Sequence, residues 1–156
     1  MNPETMLETI LREAQDKIRE AALSAPRRIE IRAPRERLVE LLAWLKQAFG
    51  LAPLGTISGV DLGETFEVLY HLSNADSTVT VRVQAPRQEP RIPSVCSVIP
   101  GAILYERELQ DMFGLVVENI PDPRPLLLAD DWPAGEYPLR KDWTFTRPAE
   151  VIPGGK

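Results

Sequence analysis

Prolines are concentrated at the C-terminal end of this 156-residue chain, and they limit what that end can fold into. Between residues 121 and 148 they stand at positions 121, 123, 125, 133, 138 and 148. Proline lacks a backbone N–H and has a fixed φ, so it breaks helices and is excluded from central strands. The spacing therefore predicts an extended arm over residues 120–156 that contains no long helix.

Two different periods of hydrophobicity precede the arm. Alternating polar and apolar residues, or runs of β-branched and aromatic ones, predict strands over residues 28–32, 55–60, 65–72, 78–84 and 116–117. Apolar residues recurring every three or four positions predict helices over residues 3–23, 34–49 and 101–114. The turn sequence at residues 73–76 predicts an antiparallel hairpin, and residues 86–93 are predicted to form a loop.

These elements predict an α+β fold, with helices packed on a mostly antiparallel sheet and an extended proline-rich C-terminal arm. Along the chain we expect an N-terminal helix within residues 1–25 and an α+β core domain over residues 26–119. The arm, residues 120–156, completes the chain. A length of 156 residues suits one domain with a tail.

Composition disfavours several classes of function. A net charge of −5 and a pI of about 5.0 argue against general nucleic-acid binding, although arginines cluster over residues 27–37. The single cysteine, Cys96, can form no internal disulfide and no iron–sulfur site. The single histidine, His71, lies in an apolar strand, which is typical of a hydrogen-bonded structural residue. No apolar run approaches the roughly 20 residues that span a bilayer.

The helix over residues 101–114 has one apolar arc and several charges. At 100° per residue, the arc that should face the core contains Ala102, Tyr105, Leu109, Met112 and Phe113. Arg107 and Asp111 are four residues apart and are predicted to pair across one turn. Spacing alone favours a solvated face with such intrahelical ion pairs.

A catalytic alternative uses the carboxylates of this helix. Glu106, Glu108 and Asp111 could supply a general acid and a general base in a stand-alone small enzyme. Such chemistry needs a concave site and shifted pKa values, and the sequence has no phosphate-binding loop or nucleophile elbow to accompany it.

The arm itself admits two interpretations. Its prolines fix the backbone in advance, which reduces the entropy cost of docking. The leucines at residues 126–128 either cover the core of this domain or become buried against another subunit, and the two can coexist. Trp132, Trp143 and Phe145 favour an ordered role, because free tails rarely contain several aromatic residues.

An ordered series of motifs links the helix to the arm. The series comprises residues 66–72 (Phe-Glu-Val-Leu-Tyr-His-Leu), 92–95 (Ile-Pro-Ser-Val), 105–114, 121–128 and 138–142 (Pro-Leu-Arg-Lys-Asp). It resembles the thirty-kilodalton subunit family of respiratory complex I, which is also known as the C-type subunit of NADH-quinone oxidoreductase. That family includes the equivalent subunits of membrane-bound energy-converting NiFe hydrogenases. Ile120, where the family usually has His, and Ser97, where it commonly has Asp, depart from the pattern.

The resemblance implies a non-catalytic structural subunit that holds no cofactor and no metal. It implies a cytoplasmic protein, peripheral on the membrane through its complex, that contacts a hydrogenase-like large subunit and a small iron–sulfur subunit. No nucleic acid is expected as a partner. The residues predicted to bind partners, or to fix the helix and arm for binding, are Glu106, Arg107, Glu108, Asp111, Asp122, Arg124, Arg140, Lys141, Asp142 and Trp143.

Overall fold

The structure, a computed structural model, describes residues 2–145. Its helices are α1 (Pro3–Glu13), α2 (Leu38–Phe49) and α3 (Ile103–Phe113). Its strands are β1 (Glu20–Ala25), β2 (Arg28–Arg32), β3 (Leu54–Asp61), β4 (Thr65–Ser73), β5 (Thr78–Pro86), β6 (Arg91–Pro93) and β7 (Val116–Glu118). The α+β class and the mostly antiparallel sheet are both confirmed.

Five strands form the main sheet in the order β1-β2-β5-β4-β3. Neighbouring strands are antiparallel except for β2 and β5, which are parallel. The predicted hairpin is formed by β4 and β5, in which Tyr70 pairs with Val81 and Leu72 with Val79. Asn74 closes its turn by accepting hydrogen bonds from the backbone N–H groups of Asp76 and Ser77.

One face of this sheet forms the hydrophobic core. Along β5 every second side chain is buried, from Val79 to Ala85, and each lies opposite a buried residue of β4. The helices complete the same cluster with fully buried side chains that include Met6, Ile10, Leu41 and Leu45. The alternation seen in the sequence is therefore that of a sheet covered on one face.

The N-terminal helix is shorter than predicted. It ends at Glu13, and residues 20–25 form the edge strand β1, which pairs antiparallel with β2. The helix prediction was wrong here because the spacing of Ile18 and Ala21 fits the period of a helix, although the chain is not helical at these residues. A tight turn at Pro26 and Arg27, where Arg27 has φ 64°, returns the chain into β2.

The loop predicted over residues 86–93 is also partly wrong. Its last three residues form β6, which pairs parallel with β7 in a separate two-stranded sheet. The strand is only three residues long and Ile92 is its one buried residue, with prolines at 90 and 93, so local sequence cannot distinguish it from a loop. The short strand predicted at residues 116–117 is confirmed as β7.

Helix α3 lies against β3 at a glycine. A Cβ atom built on Gly59 would lie 2.5 Å from a ring carbon of Phe113 and 2.9 Å from a methyl carbon of Leu109. The missing side chain therefore lets the helix approach the strand closely. The helix ends at Gly114, as predicted, and the φ of 68° at that glycine is the left-handed C-cap conformation.

The arm returns along α3 to the sheet. Residues 120–145 contain no helix or strand, and residues 146–156 of the predicted arm lie outside the described part of the chain. Within residues 2–145 no helix is both long and apolar enough to cross a bilayer.

Candidate docking site: the charged helix and its arm

Glu106 lies completely inside the protein, and its prediction as part of a solvated helix face was wrong. Its carboxylate accepts hydrogen bonds from Ser94 Oγ at 2.7 Å, from the Val95 backbone N–H at 2.6 Å and from Cys96 Sγ at 3.2 Å. A buried carboxylate needs such donors to compensate for lost hydration. The side chain thereby fixes the segment that leads from β6 into α3.

The groups around Glu106 remain protonated at neutral pH. Burial raises the pKa of the Cys96 thiol to about 11, and the adjacent Glu106 carboxylate adds to the effect. Burial and the same carboxylate raise the pKa of Tyr70 far above its usual range. Cys96 is therefore a structural thiol, since a nucleophilic cysteine needs a lowered pKa.

Asp111 binds the arm, and the predicted Arg107–Asp111 ion pair does not form. The Oδ2 atom of Asp111 accepts hydrogen bonds from the backbone N–H groups of Leu126, Leu127 and Leu128, at 2.8, 2.7 and 3.3 Å. Three amide dipoles directed at one carboxylate oxygen make a strong anchor. The leucine segment of the arm is thus attached to α3 through its backbone.

Arg107 binds the arm segment that precedes the leucines. Its guanidinium donates to the carbonyl oxygens of Arg124 at 2.7 Å and Pro125 at 2.8 Å, and lies 3.5 Å from the carboxylate of Asp122. Asp122 also accepts two hydrogen bonds from the guanidinium of Arg124, at 2.8 and 2.6 Å. The hydrogen bonds from Arg124 hold the pKa of Asp122 well below its usual range.

The end of the arm attaches to the sheet at Asp61, the last residue of β3. The Asp61 carboxylate accepts from the Lys141 backbone N–H at 2.9 Å and from Arg87 Nη1 at 2.9 Å. Arg87 also binds Asp142 at 2.6 Å. Burial alone would raise the pKa of Asp61, but the hydrogen bonds from Lys141, Arg87 and Gly63 outweigh it and lower the pKa to about 2.

Arg140 is enclosed by its own chain. Its Nε donates to the carbonyl oxygen of Phe113 at 2.7 Å. The guanidinium carbon lies 5.1 Å from the ring centroid of Phe66 and 4.3 Å from that of Tyr137, within range of cation–π attraction. Arg140 thus joins the arm, the C-terminus of α3 and β4.

Aromatic residues before and after this attachment contact one another. The ring centroids of Trp132 and Trp143 are 5.9 Å apart, and Phe145 stacks on Trp143 at 5.9 Å. The indole N–H of Trp143 donates to the Glu136 carboxylate at 3.2 Å. Trp143 and Phe145 extend the arm beyond the Asp61 contact.

Several large apolar side chains of this region face outward. Leu127 is 56% exposed, Leu139 is 53% exposed and Phe145 is 63% exposed. We call these three exposed residues, with the half-buried Trp143, the outer ridge of the arm. The arm backbone is therefore bound to its own domain, and burial of its outward-facing side chains against another subunit stays a prediction.

The three candidate catalytic carboxylates do not share a cleft. Glu106 is buried with its donors, Asp111 is covered by the arm and Glu108 is exposed. Among residues 2–145 no three Asp, Glu, His or Cys side chains converge in a way that could hold a metal ion. His71, as predicted, is hydrogen-bonded, with Nδ1 3.0 Å from Thr80 Oγ1.

The structure adds residues that the sequence prediction missed. Ser94 lies in a predicted motif but was not singled out, and Asp61, Arg87 and Tyr137 were not considered. Asp61 is 80 residues from its partner Lys141, so no local pattern could connect them. A carboxylate at the end of a strand, followed two residues later by Gly63, was the only local signal.

The sequence of this chain matches a known family over the core and the arm. Residues 31–149 match the sequence profile of the respiratory-chain NADH dehydrogenase 30 kDa subunit. The chain belongs to this family. The matched region of this 30 kDa subunit family member includes α3 and the arm, where the charged contacts described above are made.

Two relatives illustrate the range of this family. The chain is 35% identical over 147 residues to the C-type subunit of the F420H2 dehydrogenase of Methanosarcina mazei, covering 92% of each protein. It is 38% identical over 120 residues to the C/D subunit of the NADH-quinone oxidoreductase of Phocaeicola vulgatus. That match covers 74% of this chain but only 22% of the relative, so the family domain also occurs within much longer proteins.

A solved structure shares the fold of this 30 kDa subunit family member. It is the membrane-bound sulfane sulfur reductase, an archaeal respiratory membrane complex, with a TM-score of 0.80 and 28% identity. The similarity covers 90% of this chain and 85% of the chain in that complex. The fold is therefore one that occurs in a multisubunit respiratory complex.

Proposed function

We propose that this protein is a non-catalytic structural subunit of the peripheral electron-transfer arm of a membrane-bound respiratory or hydrogenase-type complex. Its proline-rich arm docks on the hydrogenase-like large subunit, and the small iron–sulfur subunit lies nearby. The protein sits on the cytoplasmic face of the membrane through these contacts. Electron transfer then takes place in the neighbouring subunits.

The observation that carries this proposal is the combination of a fixed arm and a free apolar ridge. Asp111, Arg107 and Asp61 hold the arm backbone at two places, while the outer ridge remains exposed. A preorganised segment loses little entropy on binding, and aromatic and apolar anchors supply the affinity.

The C/D relative indicates which partner to expect. In that protein of Phocaeicola vulgatus, the sequence similar to this chain occurs in one polypeptide with a D part. Two proteins joined in one chain commonly remain in contact. We therefore assign the docking partner to the D-type subunit, the large subunit of the same complex.

The assignment of individual contacts follows from exposure. Lys141, Arg124 and Glu108 are exposed and are proposed to contact the partner directly. Glu106, Arg107, Asp111 and Asp122 are proposed to position the helix and the arm from within. Arg140 and Asp142 combine the two roles, as Arg124 also does through Asp122, because all three already bind residues of their own chain.

Double substitution of the outer ridge tests the proposal. The variant Leu127→Asp/Leu139→Asp, expressed with an affinity tag in the native host, should fold normally but no longer co-purify with the other subunits. The folded state is checked by circular dichroism and thermal unfolding, and the retained subunits by mass spectrometry. Leu11→Asp, an exposed leucine of α1 that is 43% accessible, is the matched control.

Three outcomes are informative. Loss of the complex in the ridge variant but not in the Leu11 variant supports the proposal. Retention of the whole complex in the ridge variant overturns docking through the arm. Purification of the unsubstituted protein without any partner overturns the assignment as a structural subunit.

A further inference from the structure

Between its two attachments the arm forms a loop that closes on itself. The loop, residues 129–136, follows the segment held by Asp111 and precedes the segment held by Asp61. The backbone N–H groups of Trp132 and Glu136 donate to carbonyl oxygens within it, and the Trp132 indole N–H donates to the carbonyl oxygen of Glu136 at 2.9 Å. In the described part of the chain no hydrogen bond joins this loop, hereafter the tryptophan loop, to a helix or strand.

The rings of the arm form a stack that begins in the tryptophan loop. Trp143 is the middle ring, and its centroid lies 5.9 Å from that of Trp132 and 5.9 Å from that of Phe145. The Trp143 indole N–H donates to the Glu136 carboxylate, which ties the stack to the loop a second time. Phe145 is 63% exposed. An ordered stack with an exposed aromatic end is a surface that a side chain of another molecule can extend.

The tryptophan loop also contains three carboxylates and no cation. Asp130, Asp131 and Glu136 are all exposed, and residues 126–138 include no Lys, Arg or His. In the part of the chain that the structure describes, Asp130 and Asp131 make no hydrogen bond or ion pair. The Glu136 carboxylate accepts only the indole N–H of Trp143. Three carboxylates therefore surround the stack without a positive charge of the loop to neutralise them.

The cations at the base of the loop have other contacts. Arg140 donates to a backbone carbonyl oxygen of α3 and lies over two aromatic rings. Arg87 is paired with Asp61 and Asp142. The Lys141 ammonium forms no ion pair among residues 2–145. The negative charge of the tryptophan loop is therefore not matched by these three residues of its own chain.

Arginine is the side chain whose chemistry fits both the rings and the carboxylates. Its planar guanidinium stacks on aromatic faces and is attracted by their π electrons. The same group donates two parallel hydrogen bonds to a carboxylate, and such charged hydrogen bonds are stronger than neutral ones. Lysine can form the ion pair but lacks the planar group that stacks. Exposed rings beside unneutralised carboxylates therefore favour arginine as the side chain that is bound.

We propose that the tryptophan loop and its ring stack bind an arginine-bearing segment of the large subunit. Arginines of this segment stack on Phe145 and pair with Asp130 and Asp131. Trp143 and Phe145 belong to both the ring stack and the outer ridge, so the contact continues the surface through which the arm docks. The inference rests on the proposed function, which supplies the partner, and adds the chemistry that the partner must present.

Site-specific crosslinking in the purified complex tests this contact. A benzoylphenylalanine photocrosslinker is placed at Ala134, an exposed residue of the tryptophan loop, and in separate variants at Leu127 and at Leu11. Position 127 reports docking of the arm, and position 11 on α1 is the background control. After irradiation the complex is digested with a protease that does not cut at arginine, and the crosslinked peptides are identified by mass spectrometry.

The expected product at position 134 is a peptide of the large subunit with an arginine beside the crosslinked residue. The charge reversal Asp130→Lys/Asp131→Lys should lower the yield per recovered complex about tenfold, because close interfacial charge pairs couple strongly. Glu4→Lys/Glu8→Lys makes the same change of net charge at exposed positions of α1 and should leave the yield unchanged.

Two further variants test whether arginine is the residue recognised. Phe145→Leu keeps an apolar side chain but removes the π face, and should lower the yield about threefold. Replacing the crosslinked arginine of the partner by Glu should restore the yield in the Asp130→Lys/Asp131→Lys variant, because the charges are then exchanged. Failure of this exchange to restore any yield would exclude direct pairing.

Other results overturn the inference. A partner crosslink at position 127 with none at 134, or a partner peptide at 134 without arginine, excludes the arginine-bearing segment and leaves docking by the arm intact. A crosslink from 134 to residues of the same chain excludes a partner as the occupant. Equal yields in the two charge-reversal variants exclude recognition through the carboxylates of the loop. The absence of a partner crosslink at both 127 and 134 excludes docking through the arm as well.

Discussion

Glu106 acts on stability from the interior of the protein. Because its carboxylate accepts hydrogen bonds from Ser94, Val95 and Cys96, replacing it by an amide places an NH2 group against at least one donor. We expect Glu106→Gln to lower the free energy of unfolding by about 1–3 kcal/mol. Urea denaturation followed by circular dichroism measures this difference.

Glu108, two residues further along the same helix, provides the control. It is exposed, so Glu108→Gln should change the free energy of unfolding by less than about 0.5 kcal/mol. Equal losses in both variants would contradict the structural role of Glu106. The same pair also addresses the catalytic alternative, since an enzyme using Glu108 would lose turnover without losing stability.

Asp61 makes attachment of the arm dependent on pH. Its pKa is about 2 in the folded protein, below the ordinary value of 3.8, so the folded state favours the ionised form. Its contribution to stability is complete above about pH 4 and is lost as the pH falls towards 2. We expect the Lys141 amide to lose its protection from hydrogen exchange over that interval.

Other carboxylates titrate in the same range, so the measurement needs a variant that isolates Asp61. In Asp61→Asn the Lys141 amide should be less protected at neutral pH and should show a smaller change between pH 4 and 2. Identical pH profiles for the two proteins would show that the arm is held independently of the Asp61 charge.

At the scale of the elements, the contact of α3 with β3 depends on the absent side chain at Gly59. An added methyl group meets Phe113 and Leu109 at less than 3.0 Å, so the helix must shift. We expect Gly59→Ala to cost about 1–3 kcal/mol in unfolding free energy through overpacking. Gly55→Ala in the same strand, where the nearest atom is 3.6 Å away, should cost much less.

Local signals explain which elements could be predicted. The ends of α2 and α3 were predictable because Gly50 and Gly114 adopt positive φ, and β4 and β5 because their alternation spans many residues. The strand β1 was not predictable, because its pairing with β2 depends on a tight turn at Arg27 rather than on its own apolar pattern. The sequence could place the candidate site on α3 and the arm, but not the contacts between them.

The contacts between α3 and the arm depend on the fold of the whole molecule and not on local sequence. Arg107 and Asp111 suit an intrahelical pair by spacing, yet each instead binds arm backbone 15 to 18 residues away. Almost every residue type has the same backbone N–H group. A carboxylate that accepts hydrogen bonds from three backbone N–H groups therefore cannot be recognised from the sequence. The resemblance to a family identified the region, and the structure supplied its internal connections.

Removal of the Asp111 carboxylate should release the arm at its leucine segment and leave it attached at Lys141. In Asp111→Ala we expect the amides of Leu126 and Leu127 to lose protection from hydrogen exchange, because their acceptor is gone. The Lys141 amide should remain protected through Asp61. Hydrogen exchange measured residue by residue by NMR distinguishes this from general unfolding, in which all three amides would exchange together.

The parallel pair β2–β5 also has a consequence for how fast the native state is reached. Ile31 and Val81 are partners although 81 − 31 = 50 residues separate them, and the intervening chain must first form α2 and the β3–β4–β5 meander. Pairings of such long range slow folding, since loop closure precedes any gain from contacts. The N-terminal hairpin β1–β2 is therefore expected to join late, and until then the central strand β5 has one unpaired edge. A newly made chain is most prone to self-association during that interval.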